Sequence, residues 1–255
     1  MKIQRFEKYR CPKCKSNLNY NIKFLICNNC DEKFLIENNI PIFSNEMPSK
    51  EKGIYSKLFN KPKIYDFFIK TKLLFYNDKH IGLNELVKNK TFLNVGCGSN
   101  VDMENYLEYN HKHLKELYSC DLSKSFIFEA SKNYTDINKS KFSVCSVDKL
   151  PFDDNSFDIV FISFVLHHVP MSISNCIKEL NRVAKKYIVV YDHIKEENFF
   201  WKKIQEFYWD KFDGGLQYNT EYEWEKILSS YNIIKSIRTG IIGKHVFKFI
   251  IEKKN

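Results

Sequence analysis

Apolar positions fall along this chain in short runs separated by polar, helix-spaced stretches. Runs at 91–95, 117–122, 142–147, 159–165 and 187–191 have the length and β-branched or aromatic content of buried strands. Between them, 124–134 and 173–183 repeat apolar residues at helical spacing. Strands alternating with helices predict an α/β fold with a doubly wound, mostly parallel sheet. Two last runs, 233–238 and 246–251, are joined by a short loop with Gly240 and Gly243. They predict a hairpin, and therefore one late antiparallel strand. Ahead of it, Phe200, Ile204, Phe207, Tyr208 and Phe212 share one helical face. Core packing is the ordinary cause of such a face. A lid over an apolar or ring-bearing ligand and a membrane-interface contact are the functional alternatives.

The first 90 residues read differently. Short strand-like runs at 24–26 and 33–36 surround paired cysteines, and 38–42 closes a small module. After Pro48 and Gly53, an aromatic-rich stretch at 55–76 is broken by Pro62, and Ile64, Phe67, Phe68, Leu73, Leu74 and Phe75 suggest helix. This divides the chain into a ribbon at 1–46, a linker and helical cap at 47–90, and the α/β domain at 91–255. A length of 255 residues accommodates one α/β domain with a small extra module, and 44% hydrophobic residues build a sizeable core.

The N-terminus shows no apolar leader, and the longest apolar run, 159–166, falls far short of the ~20 residues of a membrane span. No stable membrane insertion and a cytoplasmic location are the expectation. The net charge of +9 lies wholly in residues 1–90, which raises RNA as a partner. The basic residues are 36 Lys and 4 Arg, amid abundant Asn and Ile. That bias fits AT-rich coding better than bidentate phosphate recognition, where Arg is preferred.

The eight cysteines form two classes. Cys97, Cys120, Cys145 and Cys176 are scattered and read as small hydrophobes. Cys11, Cys14, Cys27 and Cys30 form two Cys-x-x-Cys pairs with 12 residues between them. Such pairs make two knuckles whose thiolates close a tetrahedral structural zinc site. Metal binding would supply folding energy to a module with little core of its own.

The apolar run at 91–95 leads directly into Gly96-Cys97-Gly98, and Asp121 stands 25 residues after Gly96 at the end of the next run. A strand, a glycine turn, a helix, and a strand ending in a carboxylate form a site for an adenosine-containing cofactor. A dinucleotide fingerprint requires glycine at position 101, where this chain has Val101, so a nicotinamide enzyme is disfavoured.

The ordered motifs Leu93-Asn94-Val95-Gly96-Cys97-Gly98, Cys120-Asp121-Leu122, Leu150-Pro151-Phe152 with Phe157-Asp158, and Phe164 through Val169 resemble class I S-adenosylmethionine-dependent methyltransferases. The group is the one containing quinone-ring C-methyltransferases and many small-molecule enzymes. The resemblance spans about residues 88–252. It implies that Gly96, Cys97 and Gly98 approach the methionine end of the cofactor, that Asp121 takes the ribose hydroxyls, and that Leu122 lies on adenine. It further implies cofactor contacts from Asn94, Ser146, Val147, Asp148 and Ser163, with Asn94 accepting a hydrogen bond from the cofactor's amino group. Three departures stand out: Asn94 replaces an acidic residue, Asn100 replaces the third glycine, and Ser146 replaces the usual Asp.

His167, His168 and His193 are the candidates for a catalytic base, since an imidazole suits deprotonation of a hydroxyl or phenol. The N-terminal pattern resembles a zinc-ribbon family that includes the activator subunit of tRNA, rRNA and release-factor methyltransferases. Asn39 stands there for its usual Gly. The reading is a methyltransferase acting on a small-molecule or lipid-linked acceptor. The alternatives are an RNA methyltransferase holding RNA through the ribbon, and a non-catalytic adaptor.

Overall fold

The computed structural model describes residues 6–45, 61–64, 66, 83, 85–110, 114–134, 140–239 and 245–254. Most of the expected helical cap, and the loop carrying Gly240 and Gly243, lie outside these residues.

The central strands form where the sequence is apolar on both faces. β5 (Thr91–Val95) is buried at every position, and β8 (Phe157–Ser163) nearly so. Continuous burial is the mark of a parallel strand covered by helices on both sides. β6 (Glu116–Asp121) and β7 (Ser140–Val144) lie on one side of β5, and β8 and β9 (Ala184–His193) on the other, all parallel. β11 (Val246–Glu252) pairs antiparallel with β9, and β10 (Asn232–Thr239) antiparallel with β11. The late hairpin is therefore present, with β11 as the reversed strand.

Helices α1 (Asp102–Asn110), α2 (Lys124–Asn133) and α3 (Ile173–Val183) connect these strands. α3 buries Ile173, Cys176, Ile177, Leu180 and Val183, an i, i+3, i+4, i+7 stripe that continues to i+10. α2 starts at Ser123, whose hydroxyl accepts from the Phe126 amide. α5 (Glu221–Leu228) opens with a capping box between Thr220 and Glu223. Strand order reverses between β5 and β8, so their carboxyl ends flank the topological switch point where α/β sheets bind ligands.

The ribbon merges with this sheet. β1 (Leu18–Tyr20), β2 (Phe24–Cys27), β3 (Lys33–Glu37) and β4 (Ile40–Ile42) form an antiparallel meander. β4 then pairs in parallel with β7 through Ile42 and Val144. Among the described residues the result is one 11-stranded sheet of mixed orientation, β1-β2-β3-β4-β7-β6-β5-β8-β9-β11-β10, rather than a parallel sheet with a module beside it. Asn38 and Asn39 both take left-handed backbone in the β3–β4 turn, as the substitution at Asn39 requires. Tyr9 is sealed beneath the ribbon against Phe43, Tyr118 and Phe152, with ring centroids 5.2–5.8 Å apart.

The helix α4 (Phe199–Tyr208) forms where the apolar spacing predicts it, but core packing does not account for that spacing. Phe200, Ile204, Phe207 and Phe212 are all exposed.

Candidate functional site

β5 ends at Val95, and the chain turns through Gly96 and Gly98, both with left-handed backbone. At Gly96 a Cβ would come within 2.1 Å of the Val165 side chain, so only glycine fits there. At Gly98 a Cβ would meet nothing within 4 Å, which leaves open space over the turn for a ligand. The Gly98 amide donates to Asp121 Oδ2 at 3.0 Å, and the Ser123 amide to Asp121 Oδ1 at 2.8 Å. A carboxylate has about four acceptor sites, so Asp121 keeps capacity for a diol. Burial pushes its pKa up, while these backbone donors and the nearby His168 pull against that rise. Ser99, in the same turn, donates to Asp66, which brings the segment preceding the domain onto the glycine loop.

Two of the three departures lie beside a carboxylate from elsewhere in the chain. Asn94 Nδ2 donates to Glu104 Oε1 at 2.8 Å, and Ser119 Oγ donates to the same oxygen at 2.5 Å. Glu104 on α1 is fully buried beneath the glycine loop, so the acidic group absent from position 94 comes from the helix that follows. Ser146 Oγ donates to Asp148 Oδ1 at 2.5 Å, so a carboxylate stands beside the position where the usual Asp is replaced. Val147 is buried beside them, while Leu122 and Ser163 are half-exposed at strand ends. Val101, where a dinucleotide site has glycine, also has left-handed backbone; for a β-branched residue this is a strained conformation.

The three histidines occupy different settings. His167 and His168 lie in the 3-10 turn Leu166–His168 after β8, and His193 ends β9. Phe164 precedes this turn with left-handed backbone, and its ring packs 4.8 Å from that of His193. His167 is buried between two carboxylates: Nδ1 lies 2.5 Å from Asp192 Oδ1 and Nε2 3.0 Å from Asp213 Oδ2. Burial alone would lower its pKa, but Asp192 and Asp213 outweigh burial and hold it at about 9. An imidazole held in this way is a poor proton acceptor at neutral pH. His193 is equally buried, and its backbone carbonyl accepts from Trp224 Nε1 at 3.1 Å. His168 is partly exposed and lies near enough to Asp121 to act on its charge. Sequence reading pointed to the histidines but missed Glu104, Asp192, Asp213 and Tyr218. Glu104 left one sign: an acidic residue on an otherwise apolar stripe with Met103 and Leu107.

At the far edge of the sheet the four ribbon sulfurs converge. Cys11–Cys30 and Cys14–Cys30 are 3.6 Å apart, and Cys14–Cys27 is 3.3 Å. A disulfide requires about 2.05 Å. A tetrahedral site with Zn–S of about 2.3 Å requires sulfur separations of about 3.8 Å, which these nearly meet. Lys15 and Asp31, each just after the second cysteine of a pair, both take left-handed backbone. The Asn29 and Cys30 amides point at Cys27 Sγ at 3.4 and 3.5 Å. These are two like knuckles whose four sulfurs could hold a metal ion.

The glycine turn, Asp121 beside it and the carboxyl ends of β5 and β8 thus form one site at the switch point of a doubly wound sheet. Residues 93–189 match the family model described as a methyltransferase domain. Among curated proteins, the chain is 31% identical over 140 residues to the ubiquinone/menaquinone biosynthesis C-methyltransferase of Rickettsia felis, covering 52% of this chain and 47% of that protein. It is 28% identical over 227 residues to the enzyme of the same name from Rickettsia bellii, covering 83% and 79%. The chain thus spans about half the length of the first curated relatives it matches.

Among solved structures, a chain of the complex between the Haloferax volcanii Trm112 methyltransferase activator and a methyltransferase superposes with TM-score 0.63 at 13% identity, covering 79% of this chain and 98% of that one. A SAM-dependent methyltransferase from Aquifex aeolicus gives 0.52 at 23%, covering 82% and 99%. Magnesium protoporphyrin IX methyltransferase of Synechocystis, solved with bound SAH, gives 0.53 at 16%, covering 83% and 91%. At these identities the structural likeness bears on fold alone.

Proposed function

We propose that this protein transfers a methyl group from S-adenosylmethionine to a small-molecule or lipid-linked acceptor, a phenol- or quinone-like ring among the candidates. The observation that carries this reading is the open space over Gly98, with Asp121 anchored beside it at the switch point. In this reading Asp121 accepts both ribose hydroxyls, Asp148 accepts the adenine amino group alongside Ser146, and Val147 offers a backbone amide to the ring. The turn at Gly96–Gly98 lets the methionine end approach the backbone.

Methyl transfer is an in-line displacement, so alignment supplies most of the rate and a base is needed only where the acceptor loses a proton. His168 takes that role here, because His167 is clamped and His193 is sealed. The quinone-ring enzymes among the relatives and the exposed aromatic face of α4 favour a ring-bearing acceptor over RNA. Several ribbon cations are also already engaged: Lys8 with Glu116, Arg10 with Asp153 and Lys15 with Glu179. The four cysteines hold a structural zinc ion in this reading.

Calorimetry with S-adenosylhomocysteine tests the donor site. One equivalent should bind, and Asp121→Ala should weaken it at least tenfold, since each charge-assisted hydrogen bond lost costs about 1.5–3 kcal/mol. No heat with the unaltered protein would overturn the reading in favour of an adaptor. Labelled methyl groups offered in cell extract should enter the organic-soluble fraction; entry into RNA alone would shift the acceptor to nucleic acid.

A further inference from the structure

His167 Nε2, an imidazole nitrogen of His193 and a carboxylate oxygen of Asp213 lie within 4.8 Å of one another, and all three residues are buried. They come from three separate segments: the turn after β8, the end of β9, and the π turn Trp209–Asp213 that follows α4. We propose that this cluster is a second metal site, distinct from the four-cysteine ribbon, holding a divalent transition ion of the zinc or ferrous class through His167, His193 and Asp213.

The donor set fits such an ion. Two imidazoles and one carboxylate are ligands of intermediate softness that suit zinc, ferrous or manganous ions and contrast with the all-thiolate ribbon. Bonds of about 2.0–2.1 Å place tetrahedral ligand atoms about 3.3 Å apart. The His167–Asp213 edge is already 3.0 Å, and the edges to His193 lie within 4.8 Å. On that edge a metal ion takes the place of the proton.

The surroundings are those of a built site. Asp192 grips His167 Nδ1 at 2.5 Å, which leaves Nε2 facing Asp213. A carboxylate on the far nitrogen is how metal-bound histidines are oriented and made more basic. Tyr218 donates to Asp213 Oδ2 at 2.6 Å, and its ring stacks 3.7 Å from that of Trp209. Asp192 also accepts from the His193 amide at 2.7 Å. Charge favours the same conclusion. Asp192 and Asp213 place two negative charges in an almost water-free pocket, and buried charge is costly unless balanced. A proton on His167 balances one of them; a divalent ion with neutral imidazoles balances both. The π turn that ends α4 carries Asp213 to the cluster.

The test is cobalt(II) loading of the full chain, read by optical spectroscopy and metal analysis. Thiolate-bound cobalt gives intense charge-transfer bands, whereas nitrogen- and oxygen-bound cobalt gives only weak visible bands. Cys27→Ser/Cys30→Ser should retain one equivalent of cobalt with the weak bands alone. Adding His193→Ala or Asp213→Asn to it should abolish that equivalent. In the otherwise unaltered chain, either change should lower cobalt from two equivalents to one and leave the thiolate bands intact. Circular dichroism reports whether each variant has folded, and in the variants that keep all four ribbon cysteines the thiolate bands do so as well. Cobalt confined to the thiolate site of the unaltered protein would overturn the proposal, as would binding indifferent to both His193→Ala and Asp213→Asn.

Discussion

In the proposed donor site, Asn94 and Glu104 together take the place of the one acidic residue in the pattern this chain resembles. Because Glu104 is fully buried, its value lies in the partners it satisfies. Glu104→Leu leaves the Asn94 amide and the Ser119 hydroxyl unpaired in the core, at a cost of about 1–3 kcal/mol each. A drop in the melting temperature and loss of S-adenosylhomocysteine binding are expected together. Glu104→Gln keeps an acceptor for one of the two donors and should retain most of the stability. Asp148 is different: it is partly exposed, so Asp148→Ala should leave melting almost unchanged while weakening S-adenosylhomocysteine roughly tenfold in calorimetry, the loss of about one charge-assisted hydrogen bond. Equal affinity in that variant would place the adenine elsewhere. Neither compensation was legible in the chain. Asn94 and Ser146 read as deficits, because nothing in linear spacing says that a helix ten residues on aims a carboxylate back under the turn. Asp121 and the Gly96–Gly98 turn were legible, because their chemistry is local to two strand ends.

At the scale of elements, periodicity was a sound guide wherever one face meets the core. α3 spans the residues its apolar stripe predicts, and the late hairpin forms as its two runs require. Periodicity misled at α4, where a regular apolar face reads as core yet stands in solvent; spacing reports a face and not what covers it. α3 also carries the main electrostatic joint to the ribbon. Glu179 accepts from the Leu150 amide at 2.8 Å and pairs with Arg182 at 2.8 Å and Lys15 at 3.2 Å. Burial alone would raise the Glu179 pKa, but Arg182 and Lys15 bring it below the usual carboxylate value. The sign follows from that direction. A carboxylate with a lowered folded pKa contributes stability above its unfolded value of about 4.3, and loses it as pH falls through the folded value. Urea unfolding should therefore show a steeper loss of stability below about pH 4.5 in the native protein than in Glu179→Gln. Parallel acid profiles for the two would show that this joint contributes nothing.

Across the whole molecule, the consequential fact is that the ribbon is an edge of the main sheet. The parallel pairing of β4 with β7 joins positions about a hundred residues apart, and no local pattern announces such a partner. Tyr9, Leu25, Phe34 and Phe43 share one core cluster with Leu93, Tyr118 and Phe152, so the two parts are held by common apolar contacts. A metal in the ribbon would then stabilise the α/β domain as well as its own knuckles, because binding that favours the native state shifts the whole unfolding equilibrium. A strong chelator should lower the melting temperature of the entire chain in a single transition, and Cys11→Ser should do the same without chelator. Tyr9→Ala offers an independent route to the same joint. Removing a fully buried aromatic ring costs about 3–5 kcal/mol, which for a chain of this size lowers melting by roughly 10 °C. Calorimetric scans showing two separate transitions, with the upper one indifferent to chelator and to Tyr9→Ala, would mean that the ribbon folds as a separate unit despite its place in the sheet. A single shifted transition would make the ribbon an integral part of the platform that positions Asp121 and the glycine turn.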